Sequence, residues 1–442
     1  MIVLSSFATP EAQIRILSLQ GCTVSLIADD VGNPAKEFEE LGPHMRFVHA
    51  PELDELLNED PADSVEYQKS WEDGKDDPWL IFHTSGTTGH PKPITYTHKM
   101  MATPDIAASL TGIKESYMDQ YAFKRWYTPI PLLHYVGMLM TLCMTGYINT
   151  TVVLGPSSPP TPKTIQQIIQ YGRVEGAILP PILIDQLCSN SHGLSALRTL
   201  DYLQYVGAPL GKKSGTLLSQ YVRLAPSIGS TEAGGYFIEL RADHEDWDYV
   251  SFQPHAGAIF EHRNEELHEL VFVRQPECAV QPIFLVYPDK LRFETNDLWI
   301  EHETRKGLWK IVGRTDDYVL LSTGEGLHAS SLEPEFESLD FVKAALIGGH
   351  GRLRPVLILE LIPDVEADMK SESWVKTFKA TLTPHIEKVN SKCHPSVRLS
   401  PELILFADKG KPFERTIKGN VARAQSLKLY EQEMRRLPDS AR

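Results

Sequence analysis

The chain has 442 residues, of which 42% are hydrophobic and 23% charged, so it is long enough to bury one large core or two ordinary ones. Its formal net charge of −15 argues against a nucleic-acid-binding protein that neutralises phosphates over a broad surface, so any anionic ligand must be held by a few local groups. The five cysteines are widely separated and form no C-x-x-C pair, which indicates neither a disulfide framework nor a zinc site and favours a reducing, cytoplasmic compartment.

The first two thirds of the chain alternate short β-rich runs with longer helical stretches, which is typical of a layered α/β lobe. The strands predicted there are Thr23 to Ile27, Trp79 to Phe82, Thr151 to Leu154, Ala177 to Leu179 and Tyr202 to Val206. The most apolar run, Pro131 to Ile148, contains a histidine and two threonines. We interpret it as a buried helix rather than a membrane span, and residues Met1 to Ala8 are not predicted to form a signal peptide.

From Phe252 onward the β-rich runs come closer together, which predicts antiparallel hairpins rather than helical crossovers. The strands predicted there are Glu269 to Arg274, Leu298 to Glu301 and Leu308 to Val312. A small α+β domain is predicted to follow, with strands Ala345 to Gly348 and Pro355 to Leu361, a helix from Ser373 to Val389 and a terminal helix from about Asn420 to Arg436. The expected domains are residues 1–314 and 315–442, and nearly all of the net negative charge lies in the first.

The segment from Ile81 to Lys92 changes from an apolar strand to small hydroxyl-bearing residues and glycines, and it ends with a lysine. Gly86 and Gly89 permit backbone angles at which successive N–H groups converge on an anion, and Lys92 adds a positive charge. Hydroxyl donors are supplied by Thr84, Ser85, Thr87 and Thr88. The composition suits a phosphate-binding loop, although it does not match the Walker pattern, and composition alone also fits a plain turn.

The order of residues in this loop resembles the signature loop of the adenylate-forming superfamily, which comprises acyl-CoA synthetases, luciferases and the adenylation domains of nonribosomal peptide synthetases. Further segments resemble the later motifs of that superfamily in the same order: Gly207-Ala208-Pro209, which would lie beside the adenine, Gly229-Ser230-Thr231-Glu232, Thr295-Asn296-Asp297, Gly313 to Asp317, and Arg415 to Gly419. The resemblance is strongest to fungal synthetase-like adenylation modules. It implies an α/β fold with a large AMP-binding lobe and a small mobile C-terminal domain, joined by a hinge.

The resemblance implies attack of a carboxylate on the α-phosphate of ATP, followed by transfer of the acyl group to a thiol. The first step needs no protein nucleophile, because it depends on aligning two anions and stabilising charge on the phosphoryl oxygens. By resemblance, Glu232 would hold Mg²⁺, with Ser230 and Thr231 near the α-phosphate. Asp297 would accept hydrogen bonds from the ribose hydroxyls, and Arg314 would help to hold the ribose and phosphate.

By the same resemblance, Lys418 is the lysine expected to bridge the carboxylate and the α-phosphate. In most of the superfamily this lysine follows the glycine, whereas here it precedes Gly419. The neighbouring Lys409 and Lys411 fit a solvated basic loop. Asp316 lies where the superfamily places its hinge residue, whose backbone rotation moves the small domain between two catalytic poses.

The segment from Pro131 to Gly137 resembles the helix that lines the acyl pocket in this superfamily. Members that activate amino acids carry an Asp there for the substrate ammonium, whereas this chain has no acidic residue from Thr128 to Asn149. We therefore expect an aryl, keto or aliphatic acid rather than an α-amino acid. His134 either lines this pocket and touches the adenylate or is an ordinary core histidine.

Two hypotheses follow for the whole chain. The first is an ATP-dependent, acid-activating enzyme of secondary metabolism that transfers the acyl group to CoA, or to the phosphopantetheine arm of a carrier protein supplied in trans. The second is a truncated, weakly active or inactive relative that serves as an accessory subunit. It is favoured because Met1 to Ser6 resembles a strand from the middle of the large lobe, which leaves that lobe incomplete. Two departures from the superfamily pattern also favour this second hypothesis. Gly326 lies where most relatives carry a basic residue, and Asn420 lies where most carry the catalytic lysine.

Overall fold

The computed structural model describes residues 10–27, 45–58, 66–84, 92–110, 113, 116–156, 160–239, 244–264, 266–278, 280–323, 325–363, 378–415 and 421–438. Several sequence predictions fall outside these ranges. They are the first strand from Met1 to Ser6, the loop residues Ser85 to Gly89, the beginning of the helix expected from Ser373, and Lys418 with Asn420.

The strands of the first part of the chain are β1 (Val24–Ile27), β2 (Arg46–His49), β3 (Pro78–Thr84), β4 (Lys92–Thr97), β5 (Arg125–Tyr127), β6 (Thr151–Val153), β7 (Gly176–Leu179), β8 (Tyr202–Val206), β9 (Arg223–Ser227), β10 (Gly229–Ser230), β11 (Gly234–Gly235), β12 (Ile238–Glu239), β13 (Ser251–Phe252), β14 (Ala258–Asn264), β15 (Leu267–Val273), β16 (Arg292–Glu301) and β17 (Trp309–Arg314). The helices are α1 (Pro10–Leu19), α2 (Leu53–Asn58), α3 (Trp71–Gly74), α4 (His98–Met101), α5 (Thr103–Ser109), α6 (Tyr117–Tyr121), α7 (Tyr135–Met138), α8 (Thr145–Ile148), α9 (Pro162–Gly172), α10 (Pro181–Cys188), α11 (Ser191–Leu197), α12 (Lys212–Leu218) and α13 (Ile283–Val286).

A five-stranded parallel sheet, in the order β6-β5-β7-β8-β9, forms the centre of the large lobe. Its inner strands are almost wholly buried because helices cover both faces, as is usual for parallel sheets. Leu203 and Tyr205 of β8 face a core built with α9 to α12, whereas Val206 faces a second core built with the helical run from Tyr135 to Ile148. The predicted alternation of strands and helices is confirmed here, and β8 has the predicted bounds.

The predicted helix from Pro131 to Ile148 begins later and is less regular than expected. It starts at Tyr135 because the Nδ1 atom of His134 accepts the N–H of Val136 at 3.1 Å and caps the first turn. Its middle, Leu139–Met144, is a π-helix between α7 and α8. Within the residues that the structure describes, no helix is long and apolar enough to cross a membrane.

The hairpins predicted after Phe252 are confirmed as a four-stranded antiparallel sheet in the order β14-β15-β16-β17. Strand β16 is longer than predicted, and Asn296 interrupts it with a left-handed φ of 61°. The aromatic rings of Phe252, Phe260 and Trp299 meet edge to face at centroid distances of 5.5–5.7 Å and form the core beneath this sheet.

The C-terminal domain contains β18 (Tyr318–Leu320), β19 (Gly326–His328), α14 (Ala329–Glu337), β20 (Val342–Gly348), β21 (Val356–Leu361), α15 (Thr383–Asn390), β22 (Ile404–Phe406), α16 (Arg423–Leu429) and α17 (Glu431–Arg436). The predicted α+β order is confirmed, but the prediction of one terminal helix is wrong. The chain breaks at Tyr430, whose φ and ψ of −97° and 9° leave the helical region and whose hydroxyl accepts the N–H of Asp408 at 3.1 Å.

A buried ion pair joins three elements of this domain. Arg423 of α16 donates to both carboxylate oxygens of Glu333 in α14, at 2.6 and 2.8 Å, and to the carbonyl of Ile347 in β20. Burial raises the pKa of Glu333 to about 7, although Arg423 acts in the opposite direction. The unfolded carboxyl ionises near its ordinary value, so folding takes up a proton between that value and about 7, and stability rises as the pH falls through this window.

Candidate functional site

The G-S-T-E segment forms a tight hairpin between β10 and β11. Its narrow neck requires glycine, because a Cβ on Gly229 would lie 2.2 Å from the carbonyl oxygen of Gly234. The Oγ atom of Ser230 accepts the N–H of Ala233 at 3.0 Å and closes the turn. Thr231 and Glu232 therefore lie together at the tip, both half-buried, and their predicted contacts with phosphate and Mg²⁺ stay predictions.

A buried tyrosine and a half-buried tyrosine each bind this hairpin. The hydroxyl of Tyr96 in β4 donates to the carbonyl of Thr231 at 2.6 Å, and the hydroxyl of Tyr135 in α7 accepts the N–H of Gly235 at 3.4 Å. Their rings meet edge to face at 5.5 Å. Burial raises the pKa of both phenols well above the ordinary value, so both are neutral hydrogen-bonding groups at physiological pH.

Strand β4 also connects the hairpin to the predicted phosphate loop. Thr84, the last residue of β3, and Lys92, the first residue of β4, are register partners in the antiparallel ladder, so the loop leaves and returns at one point. Lys92 is exposed there. Ser85, Gly86, Thr87, Thr88 and Gly89 lie outside the described residues, and their predicted contacts with phosphate stay predictions.

The predicted ribose-binding residues form a pair across β16 and β17. Asp297 and Arg314 are register partners, and Nη1 of Arg314 donates to Oδ1 of Asp297 at 3.1 Å. The other carboxylate oxygen, Oδ2, accepts a 2.8 Å hydrogen bond from the hydroxyl of Tyr236. Burial, and then the charge of Asp297, raise the pKa of Tyr236 well above its ordinary value, so the phenol stays a donor.

Tyr236 is the residue that the sequence prediction missed. It follows β11 directly, four positions after Glu232, and so joins the hairpin tip to the Asp297–Arg314 pair. Its ring is buried edge to face against Phe272 at 5.3 Å. Nothing in the linear sequence indicates this role, because Tyr236 and Asp297 are 61 residues apart and meet only through the tertiary fold.

The turn that presents Asp297 is built from its two neighbours. Thr295 donates through Oγ1 to the carbonyl of Leu270 at 2.8 Å and accepts the N–H of Asp297 at 3.0 Å. Asn296 takes the left-handed conformation that the more usual glycine would adopt there, and Asn tolerates it better than most residues. Its N–H is bound by the buried carboxylate of Glu269 at 3.2 Å.

The predicted hinge connects both domains through neighbouring residues. Asp316 lies within a single turn of 3-10 helix, Thr315–Asp317, directly after β17. The hydroxyl of Thr315 donates to the side-chain oxygen of Asn296 at 3.1 Å, and Asp317 lies 3.7 Å from Nε of Arg423. Thr315 thus contacts the large lobe and Asp317 contacts the small domain, and rotation at Asp316 stays a prediction.

The remaining predicted positions are placed as follows. Gly207, Ala208 and Pro209 form the bend after β8, and Gly207 has a φ of 90° that favours glycine. This bend lies at the carboxyl end of the parallel sheet, where α/β folds commonly bind ligands. His134 lies at the start of α7 and caps it, next to Tyr135. A Cβ added at Gly326 would lie 2.5 Å from the ring of Tyr318. The structure therefore leaves no room here for the basic residue that most of the superfamily carries.

The structure thus brings the hairpin tip, the Tyr96 and Tyr135 hydroxyls and the Asp297–Arg314 pair into one connected site. A G-S-T-E hairpin followed by a carboxylate–arginine pair at the end of a four-stranded sheet accompanies a fold with a large N-terminal and a smaller C-terminal domain, which matches the adenylate-forming enzyme fold. The sequence profile described as "AMP-binding enzyme" matches residues 2–263, and that described as "AMP-binding enzyme C-terminal domain" matches residues 316–441. The chain belongs to the AMP-binding enzyme family.

Curated relatives and solved structures agree with this assignment. A carboxylic acid reductase of Neurospora crassa is 28% identical over 451 residues, which cover 100% of this chain and 42% of that protein. The adenylate-forming reductase Nps10 of Heterobasidion annosum is 29% identical over 80% of this chain and 33% of its own length. The chain therefore spans less than half the length of each of these relatives.

Among solved structures, the O-succinylbenzoate coenzyme A synthetase of Bacillus subtilis, in complex with ATP and magnesium ion, superposes with a TM-score of 0.69. The identity is 17%, and the match covers 96% of this chain and 83% of that chain. At this identity the likeness shows the fold, which confirms the predicted fold class.

Proposed function

We propose that the protein combines a small carboxylic acid with ATP to form an acyl-adenylate and pyrophosphate, and then transfers the acyl group to a thiol. The observation that carries this proposal is the link from Glu232 and Thr231, through Tyr236, to Asp297 and Arg314. One connected set of groups would then serve both the phosphates and the ribose of the nucleotide. The names of the relatives, which include a carboxylic acid reductase, favour an acid substrate.

The proposed chemistry has two steps. In the first, a carboxylate oxygen forms a bond to the α-phosphorus of ATP, the bond from that phosphorus to the bridging oxygen breaks, and pyrophosphate leaves with the electron pair. In the second, a thiol sulfur attacks the acyl carbon and loses its proton, the carbon–oxygen bond to AMP breaks, and AMP leaves. The thiol belongs to CoA or to the phosphopantetheine arm of a carrier protein.

Glu232 is the residue that would hold Mg²⁺. Among the described residues, no group of three or more His, Cys, Asp and Glu side chains could form an all-protein metal site. Mg²⁺ commonly takes one or two carboxylates and completes its shell with substrate phosphates and water, so the lone half-buried carboxylate at the hairpin tip fits this ion. When bound, the ion would neutralise charge on the phosphoryl oxygens.

The other roles follow from position. Asp297 would accept hydrogen bonds from the ribose hydroxyls. Tyr236 and Arg314 each donate to one of its carboxylate oxygens and so fix the orientation of that carboxylate. Lys418 would bridge the carboxylate and the α-phosphate from the small domain. We place the boundary between residues 1–314 and 315–442, with rotation at Asp316 exchanging the adenylating and thiol-transfer poses.

An acid without an α-ammonium group is the preferred substrate. An ammonium buried in the acyl pocket would need a nearby carboxylate, and residues 128–149, which include α7, the π-helix and α8, contain none. Tyr135, at the start of α7, offers a neutral hydroxyl instead. Aryl, keto and aliphatic acids therefore stay the proposed class.

Pyrophosphate release with ATP and Mg²⁺ across a panel of aryl, keto, fatty and amino acids tests this proposal. We expect release with one class of non-amino acid, and its loss in Glu232→Gln and Lys418→Ala. Thr199→Ala, a change at an exposed residue after α11 whose hydroxyl donates to the carbonyl of Ala196, serves as the matched control. A folded, monodisperse protein that releases no pyrophosphate with any acid would contradict the proposal and favour the accessory-subunit alternative.

A further inference from the structure

The segment that contains Lys418 begins and ends at one point of the small domain. The described residues on either side of it, Arg415 and Val421, form an isolated antiparallel β-bridge. The N–H of Ala422 also donates to the carbonyl of Glu414 at 2.8 Å. Since the Cα atoms of bridge partners lie about 5 Å apart, the chain leaves the domain and returns to it through a narrow neck.

The first side of this neck is held by a buried carboxylate. Nη2 of Arg415 donates to Oε2 of Glu360 in β21, and Nη1 donates to the carbonyl of Phe413 at 3.3 Å. Glu360 is 5% exposed, so water solvates its charge poorly and the carboxylate needs cationic partners. Its other oxygen, Oε1, accepts a hydrogen bond from Nζ of Lys343 in β20 at 2.7 Å. Glu360 therefore fixes the guanidinium of Arg415 against the sheet of the small domain.

The other side of the neck is held by a second ion pair and by apolar contacts. Arg423, two residues after Val421, donates to both carboxylate oxygens of the buried Glu333. Phe413, before the segment, and Val421, after it, pack in one core cluster with Tyr430. The core of the small domain therefore sets the position of both ends of the segment.

A short segment between two fixed ends reaches only a limited volume. Five residues separate Arg415 from Val421, so a displacement of either end also displaces Lys418 relative to the small domain. Under the proposed function, the Lys418 ammonium must meet the carboxylate and the α-phosphate together. A misplacement of about 1 Å in such an arrangement can cost about a hundredfold in rate.

We infer that Arg415 and Glu360 are positioning residues for the adenylation step, because their ion pair fixes the start of the segment that carries Lys418. This inference rests on the proposed function. The guanidinium of Arg415 binds Glu360 and the carbonyl of Phe413, so it acts through the lysine rather than by touching the substrates. Lys343 binds the same carboxylate from β20 and does not belong to the segment.

The test compares the two cations that bind one carboxylate. Arg415→Met removes the cation that begins the Lys418 segment, whereas Lys343→Met removes the cation in β20 and leaves Arg415 bound to Glu360. Pyrophosphate release is measured with saturating amounts of the acid that the panel identifies and with varied ATP. We expect Arg415→Met to lower kcat about 10–100-fold and to keep the KM for ATP within about twofold of wild type. Lys343→Met should keep both values within about twofold.

Two further variants separate positioning from other roles. Arg415→Lys keeps a cation for Glu360 and should recover kcat to within about fivefold of wild type. Glu360→Gln keeps Arg415 but removes the charge that holds it, and should lower kcat about fivefold or more, whereas a direct contact of Arg415 with substrate predicts no loss. Thermal unfolding shows which variants are folded. Should Arg415→Met fail to fold, Glu360→Gln carries the test.

Each outcome has one meaning. Equal losses in Arg415→Met and Lys343→Met, or full activity in Arg415→Met or Glu360→Gln, would overturn this inference while leaving adenylation in place. Full activity in Lys418→Ala would overturn it too, since Arg415 is inferred to act through that lysine. Absence of pyrophosphate with every acid in the wild type would refute the proposed function itself, and this inference with it. A loss of kcat confined to changes of Arg415 and Glu360 supports the inference.

Discussion

Removal of the Tyr236 hydroxyl should weaken ATP binding while leaving the chemical step largely intact. The phenol is 5% exposed and Asp297 is 8% exposed, so water cannot readily replace the 2.8 Å hydrogen bond between them. A hydrogen bond to a charged group contributes about 1.5–3 kcal/mol, and each 1.4 kcal/mol is a factor of ten in binding. Part of this energy stabilises the folded protein without ligand, so we expect Tyr236→Phe to raise the KM for ATP about tenfold.

The assay is pyrophosphate release at varied ATP concentration and saturating acid, together with thermal unfolding. Tyr205→Phe is the matched control, because Tyr205 is also buried but packs edge to face against Trp247 in a different core cluster from that of Tyr236. The control should leave the KM for ATP unchanged. A KM within twofold of wild type in Tyr236→Phe, alongside a large increase in Asp297→Asn, would refute the claim that Tyr236 orients the carboxylate.

Three further changes test the fold around the site by urea denaturation. Asn296→Ala should lower the free energy of unfolding by about 1–2 kcal/mol, because alanine resists a φ of 61°, whereas Asn296→Gly should cost less. Gly176→Ala should cost about 1–3 kcal/mol, since the new Cβ would lie 2.4 Å from the ring of Trp126. Arg423→Met should cost about 3–5 kcal/mol at pH 8 by leaving Glu333 buried without its counter-charge. That loss should shrink below pH 7, where Glu333 becomes neutral because burial raises its pKa to about 7. Equal losses at pH 8 and pH 6 would contradict this assignment.

The sequence predicts the elements whose pattern is local. Strand β8 has the predicted bounds because its apolar residues lie between clear turn signals, and the hairpins after Phe252 follow from closely spaced β-rich runs. The motif order also predicts that Glu232, Asp297 and Arg314 serve one site, and the structure connects them through Tyr236.

The rest depends on contacts between distant parts of the chain. Tyr236 is chemically ordinary in the sequence, and its role follows from a partner 61 positions away. The break at Tyr430 is similar, because the hydrogen bond that its hydroxyl accepts from the N–H of Asp408 competes with a continuous helix, and no helix-breaking residue marks the position. A prediction from local propensity does not include such tertiary contacts.

Transfer of a labelled oxygen tests the central claim most directly. The acid carries ¹⁸O in its carboxylate and is supplied with ATP, Mg²⁺ and hydroxylamine. Hydroxylamine attacks the acyl carbon and so cleaves the acyl carbon–oxygen bond, and the masses of the products are measured by mass spectrometry. Attack of the carboxylate on the α-phosphorus predicts one ¹⁸O atom in AMP and none in pyrophosphate, with both products lost in Glu232→Gln. Unlabelled AMP, or ADP with labelled inorganic phosphate, would contradict the account.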